Sequence, residues 1–172
     1  MRNNRITQAL TLTATVVSML AGTQALSAEP SRDPTMVRRV VVSIPDRKLA
    51  VIENDTVVRV FAVAVGAPES PSPVGTFTIV NRVANPTYYH PGKVIAPGVA
   101  NPVGTRWIGL SEKGFGIHGT DDPKSIGYAR SHGCIRLRNT DVEKLFELVR
   151  GGDVVELHAE RTPEIGALFS ER

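Results

Sequence analysis

The chain has 172 residues, of which 41% are apolar and 22% charged, and its formal net charge at pH 7 is +3. These values are typical of one folded globular domain, and they exclude an intrinsically disordered chain, a collagen-like chain and a polytopic membrane protein. Two basic residues, Arg2 and Arg5, lie in a segment that we expect to be removed, and the remaining 18 basic and 17 acidic residues give no argument for nucleic-acid binding.

The N-terminus has the pattern of a secretory signal peptide, which we assign to residues 1–28. Arg2 and Arg5 precede an uncharged, mostly apolar stretch at 9–21, and the small residues before and at Ala28 fit a cleavage site. An uncleaved membrane anchor is the alternative, but the stretch is short for a bilayer and contains several Thr and Ser residues. We therefore expect an exported protein of about 144 residues with no membrane insertion after cleavage.

A short polar leader, 29–36, is followed by a predicted mainly β domain over 37–160. Its strands are recognised as runs of β-branched and other apolar residues, and Gly, Pro, Asn and Asp separate them. The predicted strands lie at 40–44, 48–52, 57–65, 74–80, 106–110, 114–118, across Cys134 and at 154–158.

The stretch 82–105 interrupts this strand pattern with four prolines and three glycines. A loop of this length in a compact domain is usually functional or disordered. It also contains two adjacent tyrosines, Tyr88 and Tyr89, which are candidates for contact with a ligand.

One helix is predicted after the cysteine. Thr140 and Glu143 fit a capping box at its start, and its apolar residues recur at helical spacing. The apolar stripe of the helix consists of Val142, Leu145, Phe146 and Val149.

The C-terminal tail at 161–172 has no clear periodic pattern, so its sequence specifies its structure only weakly.

Cys134 is the only cysteine, so it cannot form an intrachain disulfide. In an exported protein such a thiol is buried and inert, paired with another chain, or kept reactive. A thiol with a pKa of about 8.5 is only a few per cent ionised at pH 7, so a nucleophilic cysteine needs a base. His118 and His132 are the candidate bases.

We favour His118 as the base because it lies on a separate segment, where it can face the sulfur and leave the attack side open. His132 is then a structural or oxyanion-side residue. Gly133 lets the backbone approach a substrate and lets the amides at 133 and 134 point at an oxyanion. Arg136 alternates with Cys134, and its guanidinium suits a substrate carboxylate, or else it pairs with an acid of the protein and braces the strand.

Each of these residues also has a structural interpretation. Cys134 can be a small buried residue, and His118 a hydrogen-bonded core residue. A metal site made of His118, His132 and Cys134 is conceivable, but no fourth ligand is evident. We therefore expect no metal and no organic cofactor.

The segment around Cys134 resembles the signature of the L,D-transpeptidase catalytic domain, of the YkuD or ErfK type. That pattern is a His, a spacer of a dozen or more residues and then Ser/Thr-His-Gly-Cys, and here 12 residues separate His118 from Ser131. Arg136 stands where some members have Asn. The matching segments are Ile117-His118-Gly119-Thr120, Ile126-Gly127, Ser131-His132-Gly133-Cys134-Ile135-Arg136-Leu137 and Asn139.

The resemblance implies a mainly β, sandwich-like fold of mixed sheets around the catalytic Cys134. It implies that Cys134 attacks the third residue of a peptidoglycan stem peptide and expels D-alanine. The acyl group would pass to an amine of another stem in a 3→3 cross-link, or to a lysine of an outer-membrane lipoprotein. His118 would be the base, the Gly119 carbonyl would orient it, and Ser131 would contact the substrate.

The resemblance also implies that the loop with Tyr88 and Tyr89 covers the donor site, and that the protein works at the cell wall, in the periplasm. Two other functions remain open. The same acyl-enzyme can be hydrolysed, which would make the protein an L,D-carboxypeptidase or an endopeptidase. A non-catalytic wall-binding domain would also keep the fold, although the candidate Cys and His are both present.

Overall fold

The computed structural model describes residues 37–170. The predicted signal peptide, 1–28, and the predicted leader, 29–36, lie outside the described residues. A 3-10 turn covers Pro123–Ser125. The strands are β1 (Arg38–Ser43), β2 (Lys48–Glu53), β3 (Thr56–Ala62), β4 (Val65–Gly66), β5 (Gly75–Ala84), β6 (Tyr88–His90), β7 (Lys93–Ile95), β8 (Arg106–Leu110), β9 (Gly116–His118), β10 (Ala129–Ser131), β11 (Ile135–Arg136) and β12 (Val154–His158), and the helices are α1 (Asn139–Leu148) and α2 (Pro163–Leu168).

The main sheet is mixed and curls back on itself. Its strand order is β11-β9-β8-β5-β12-β1-β2-β3, and β1–β12 and β9–β11 are its parallel pairs. Beyond β3 the chain returns to the opposite end of this order, where the backbone of Ala64 exchanges two hydrogen bonds with Arg136 of β11, at 2.9 and 3.0 Å. The predicted mainly β fold of mixed sheets is confirmed.

Apolar residues cover both faces of the centre of this sheet. In β1, Val40 and Val42 point into the larger core, whereas Val41 points to the other side, as the two-residue period of a strand requires. Burying both faces is what allows such continuous apolar runs in β1 and β2. The larger core is completed by Val142, Leu145 and Val149 from α1 and the residue after it, and the smaller one by Ile165 and Phe169 from α2 and its C-terminal end.

The stretch 82–105 is not one irregular loop. β5 continues to Ala84, and β6 and β7 form a separate two-stranded hairpin. The fully buried Asn101 holds this hairpin in place, since its Nδ2 donates to the Pro86 carbonyl at 2.8 Å and its Oδ1 accepts the Val103 N–H at 3.0 Å.

Helix α1 begins at Asn139, so the capping box predicted from Thr140 is wrong. The cap position is Arg138, whose side chain makes no capping hydrogen bond, while its carbonyl accepts the N–H groups of Asp141 and Val142. The helix thus begins two residues earlier than the predicted capping box indicates, and the Asn139 side chain makes its hydrogen bonds outside the helix.

The tail predicted as weakly specified contains α2. The Thr162 hydroxyl accepts the Ile165 N–H at 3.3 Å and so caps this short helix. Within residues 37–170, none of the helices has the length and apolarity needed to cross a membrane.

Candidate active site

Three neighbouring strands place Trp107, His118 and Arg136 in one row. Trp107 is in register with His118 across the antiparallel pair β8–β9, and Arg136 is in register with His118 across the parallel pair β9–β11. Side chains in register on adjacent strands project from the same face of a sheet. Cys134 directly precedes β11. The candidate nucleophile therefore lies at the start of the strand that pairs with β9, and β9 carries the candidate base His118.

The imidazole of His118 is held in one orientation. Its Nδ1–H donates to the Gly119 carbonyl at 2.6 Å, and its ring stacks on Trp107 with 5.6 Å between the ring centroids. A carbonyl only accepts hydrogen bonds, so the neutral ring carries its proton on Nδ1 and leaves Nε2 as the basic nitrogen. The structure thus brings together His118 and Gly119 as the resemblance implied.

Burial determines the charge of His118, which is only 4% exposed. Loss of hydration lowers the pKa of His118 from 6.5 to about 4, the hydrogen bond with Gly119 raises it, and the nearby charge of Arg136 lowers it further. The ring is therefore neutral at pH 7 and able to accept a proton.

Cys134 is a protonated thiol at rest. Burial raises the pKa of the Cys134 thiol, and this outweighs the backbone hydrogen bond of Gly116 and the charge of Arg136, which both lower it. Its Sγ–H donates to the Gly114 carbonyl at 3.7 Å, and no hydrogen bond joins it to His118 among the described residues. The resting pair is a neutral thiol and a neutral imidazole, not a thiolate and an imidazolium.

The Ser131 hydroxyl makes two hydrogen bonds within the loop before Cys134. Ser131, 1% exposed, donates to the Cys134 carbonyl at 2.5 Å and accepts the Gly133 N–H at 3.0 Å. The Gly133 amide is therefore engaged within the loop, against our expectation that it points at an oxyanion. The substrate contact assigned to Ser131 stays a prediction, since both of these hydrogen bonds of its hydroxyl lie within the loop.

Gly133 is required by the conformation of this loop. Its φ of +108° is one that residues with a side chain rarely adopt, and a Cβ would lie 2.5 Å from Cε1 of Phe115 and 3.2 Å from the Pro71 carbonyl. The neighbouring His132 side chain is exposed, and its predicted structural or oxyanion-side role stays a prediction.

Arg136 has no acidic partner among residues 37–170, so the alternative in which it braces the strand through an ion pair is not what the structure contains. Its Nε is buried without a hydrogen-bond partner. A buried guanidinium nitrogen without a partner is costly, and a bound anion would satisfy it.

The two tyrosines of the hairpin differ in exposure. Tyr88 is half-buried and stacks on His90, with the ring centroids 6.2 Å apart, whereas Tyr89 is 74% exposed. Neither makes a hydrogen bond or a ring contact with Cys134 or His118 in the described part of the chain. Their place over a bound donor stays a prediction.

Across residues 37–170 no group of three or more His, Cys, Asp and Glu side chains is arranged to hold a metal ion. The metal site of His118, His132 and Cys134 that the sequence left conceivable is therefore not formed in this arrangement. Cys134 and His118 together can supply nucleophilic attack by a thiol and proton transfer.

Our sequence reasoning missed Trp107 and gave no role to the Asn139 side chain. Trp107 is the only tryptophan of the chain, and it lies on a predicted strand that directly precedes the strand of His118. Antiparallel pairing of those two strands would have suggested the contact. Asn139 offered no such signal, because its partners lie 19 and 34 residues away in the sequence.

The chain is similar to known proteins in sequence and in fold. The family model described as the YkuD L,D-transpeptidase catalytic domain matches residues 37–157. The Bacillus licheniformis protein named L,D-transpeptidase YkuD is 39% identical over 127 residues, 73% of this chain and 69% of that protein. The Escherichia coli protein named L,D-transpeptidase YbiS is 30% identical over 138 residues, 71% of this chain but 45% of that protein.

Among solved structures, an L,D-transpeptidase from Mycobacterium smegmatis superposes with a TM-score of 0.61 at 22% sequence identity. The superposition covers 72% of this chain and 59% of that one. An L,D-transpeptidase described in complex with imipenem, LdtMt1, superposes with a TM-score of 0.60 at 23% identity. At these identities the superpositions support the fold.

Proposed function

Because this chain belongs to the L,D-transpeptidase catalytic domain family, we propose that it is a cysteine acyltransferase that acts on peptidoglycan stem peptides. The observation that carries this proposal is the placement of Cys134 and His118 on adjacent strands, with His118 held through Nδ1. His118 is buried, neutral and hydrogen-bonded through Nδ1, so that Nε2 can accept a proton, and Cys134 is the thiol at the adjacent strand.

The proposed reaction has two half-reactions. In the first, the Cys134 sulfur attacks the carbonyl carbon of the third stem residue while its proton moves to Nε2 of His118. The C–N bond to the terminal D-alanine then breaks, His118 returns the proton to the leaving amine, and a thioester remains on Cys134. In the second, an amine attacks the thioester carbonyl carbon and gives a proton to His118, the C–S bond breaks as the amide bond forms, and His118 returns the proton to the Cys134 sulfur.

Deprotonation and attack are coupled in this proposal. The thiol proton lies toward Gly114 at rest, and burial disfavours a free thiolate, so the proton has to leave that carbonyl for His118 as the substrate arrives. For the developing oxyanion, the backbone N–H of Cys134 is the donor we propose, since it makes no hydrogen bond to another described residue.

Arg136 is proposed to bind a carboxylate of the donor stem. It stands in register with His118, its Nε lacks a partner, and its charge is felt by both His118 and Cys134. A guanidinium binds a carboxylate through two parallel hydrogen bonds, which would fix the donor peptide beside the sulfur. We place Tyr88 and Tyr89 of the hairpin over the same donor.

The acceptor is proposed to be an amine, from a second stem peptide or from a lysine of an outer-membrane lipoprotein. The signal sequence proposed at 1–28 supports action outside the cytoplasm, in the periplasm and at the wall. N-terminal sequencing of the protein recovered from the periplasmic fraction tests this, and an intact Met1 there would contradict cleavage.

The activity is tested by incubating the purified protein with tetrapeptide muropeptides and analysing the products by mass spectrometry. Cross-linked dimers with loss of D-alanine are expected, and Cys134→Ala should give neither dimers nor free D-alanine. Tripeptides alone would identify water as the acceptor and a carboxypeptidase. Unchanged substrate with wild-type protein would contradict the proposed function.

A further inference from the structure

Asn139 joins two segments through a single oxygen atom. Its Oδ1 accepts the N–H of Thr120 at 3.2 Å and the N–H of Thr105 at 3.2 Å. Although Asn139 is the first residue of α1, its side chain reaches away from the helix. It contacts the segment that follows His118 and the segment that follows the β6–β7 hairpin.

The Thr120 N–H belongs to the same peptide unit as the Gly119 carbonyl, which accepts the Nδ1–H of His118 at 2.6 Å. In a planar trans peptide the N–H and C=O groups point in opposite directions. A side chain that holds the N–H therefore aims the carbonyl at the imidazole. Hydrogen bonds arranged in such a series also polarise one another.

Two glycines leave room for the Asn139 oxygen. A Cβ on Gly119 or on Gly104 would overlap with Oδ1 of Asn139. The φ of Gly104 is +62°, but Gly119 does not have a positive φ. At Gly119 the absence of a side chain is therefore needed for the approach of Asn139 and not for the backbone conformation.

We propose that Asn139 is a positioning residue for His118: through the Gly119–Thr120 peptide it fixes the carbonyl that holds Nδ1, and thereby the nitrogen that receives the thiol proton. This inference rests on the proposed function, in which His118 takes the proton of Cys134. Among the described residues, the charged group that acts on His118 is Arg136.

The test is NMR of the protein carrying 15N-labelled histidine, which reports the ring nitrogen that holds the proton. Wild type should hold it on Nδ1 of His118, and Asn139→Ala should distribute it between both nitrogens. The rate at which iodoacetamide alkylates Cys134 at pH 7 should fall by up to about 100-fold, the order of loss that misplacing a catalytic group can cause. Asn139→Asp retains an oxygen acceptor and should restore the Nδ1 tautomer.

Asn101→Ala is the matched control. Asn101 is also an asparagine that holds loop backbone through several hydrogen bonds, but its partners are at Pro86, Ile95, Ala96 and Val103. It should therefore leave the His118 tautomer unchanged. If Asn101→Ala alters the tautomer as Asn139→Ala does, the effect is general loosening of the loop and the proposal fails.

An Asn139→Ala protein that is folded and keeps both the wild-type tautomer and the wild-type alkylation rate would also overturn the proposal. If that variant does not fold, Gly119→Ala replaces it, since a Cβ there displaces Oδ1 and should cause the same tautomer change. Neither readout uses a muropeptide. A tautomer change in Asn139→Ala, together with no muropeptide product from the wild-type protein, would support the role of Asn139 and contradict the proposed substrate.

Discussion

The indole of Trp107 lies flat against the imidazole of His118, with ring centroids 5.6 Å apart and ring planes inclined by 20°. The indole N–H donates to the Asn81 side-chain oxygen at 3.1 Å, and Gly116 leaves space for the ring, since a Cβ there would be 2.7 Å from it. One face of the candidate base is thus shielded from water by a residue from the neighbouring strand.

The first prediction concerns this shielding. Burial is the main cause of the lowered pKa of His118, so Trp107→Ala should raise that pKa from about 4 toward 6.5 by admitting water to the ring. An NMR titration of the His118 ring measures it. Trp107→Phe retains an aromatic face and should keep most of the shift, and an unchanged pKa in Trp107→Ala would mean that other residues exclude the water.

The second prediction concerns stability at low pH. Unfolded His118 binds its proton with a pKa of 6.5 and folded His118 with a pKa of about 4, so the unfolded state holds the additional proton between these values. The free energy of unfolding therefore falls as the pH is lowered from 6.5 to 4, by up to about 3 kcal/mol from this residue.

Urea denaturation at pH 7 and at pH 4 measures this loss. Carboxylates also titrate in this range, so the relevant quantity is the difference in pH dependence between wild type and His118→Gln, in which the ring is replaced by a side chain that does not titrate. Identical pH dependence of the two proteins would contradict the buried, neutral state of His118.

More of the fold than of the candidate site could be predicted from the sequence. The strands β1, β2, β8 and β12 have alternating or continuous apolar patterns, and these were predicted within a few residues. The hairpin β6–β7 was not, because its short strands are exposed and have no apolar period to detect. α2 was missed for a similar reason, since six residues are too few for a clear stripe.

Within the site, the sequence pointed to the residues but not to their protonation or their supports. Cys134 and His118 could be selected because a single thiol lies close to two histidines in the sequence, but the charge state of the pair depends on burial, which the sequence does not reveal. The roles of Trp107 and Asn139 depend on strand register and on single side-chain contacts over a long sequence separation, which leave no periodic pattern.

The third prediction separates nucleophile from base. Cys134→Ala should abolish muropeptide turnover, and His118→Ala should lower the acylation rate by roughly 10²–10⁴-fold, the usual contribution of a general base. His132→Ala is the comparison, since His132 is exposed and should reduce turnover less. An inactive His132→Ala with a nearly normal His118→Ala would mean that the two roles are exchanged.

The fourth prediction tests the carboxylate contact of Arg136. Arg136→Lys keeps the positive charge but loses the planar fork that binds a carboxylate through two hydrogen bonds, so it is a sharper probe than alanine. Because hydrogen bonds to charged groups contribute about 1.5–3 kcal/mol, kcat/KM for a peptide donor should fall by about 10- to 100-fold. Alkylation of Cys134 by iodoacetamide, which has no carboxylate, should proceed at the wild-type rate.

If both rates fall together, the guanidinium supports the nucleophile and does not recognise the donor. If neither falls, the unpartnered Nε of Arg136 is satisfied by water and the donor carboxylate binds elsewhere.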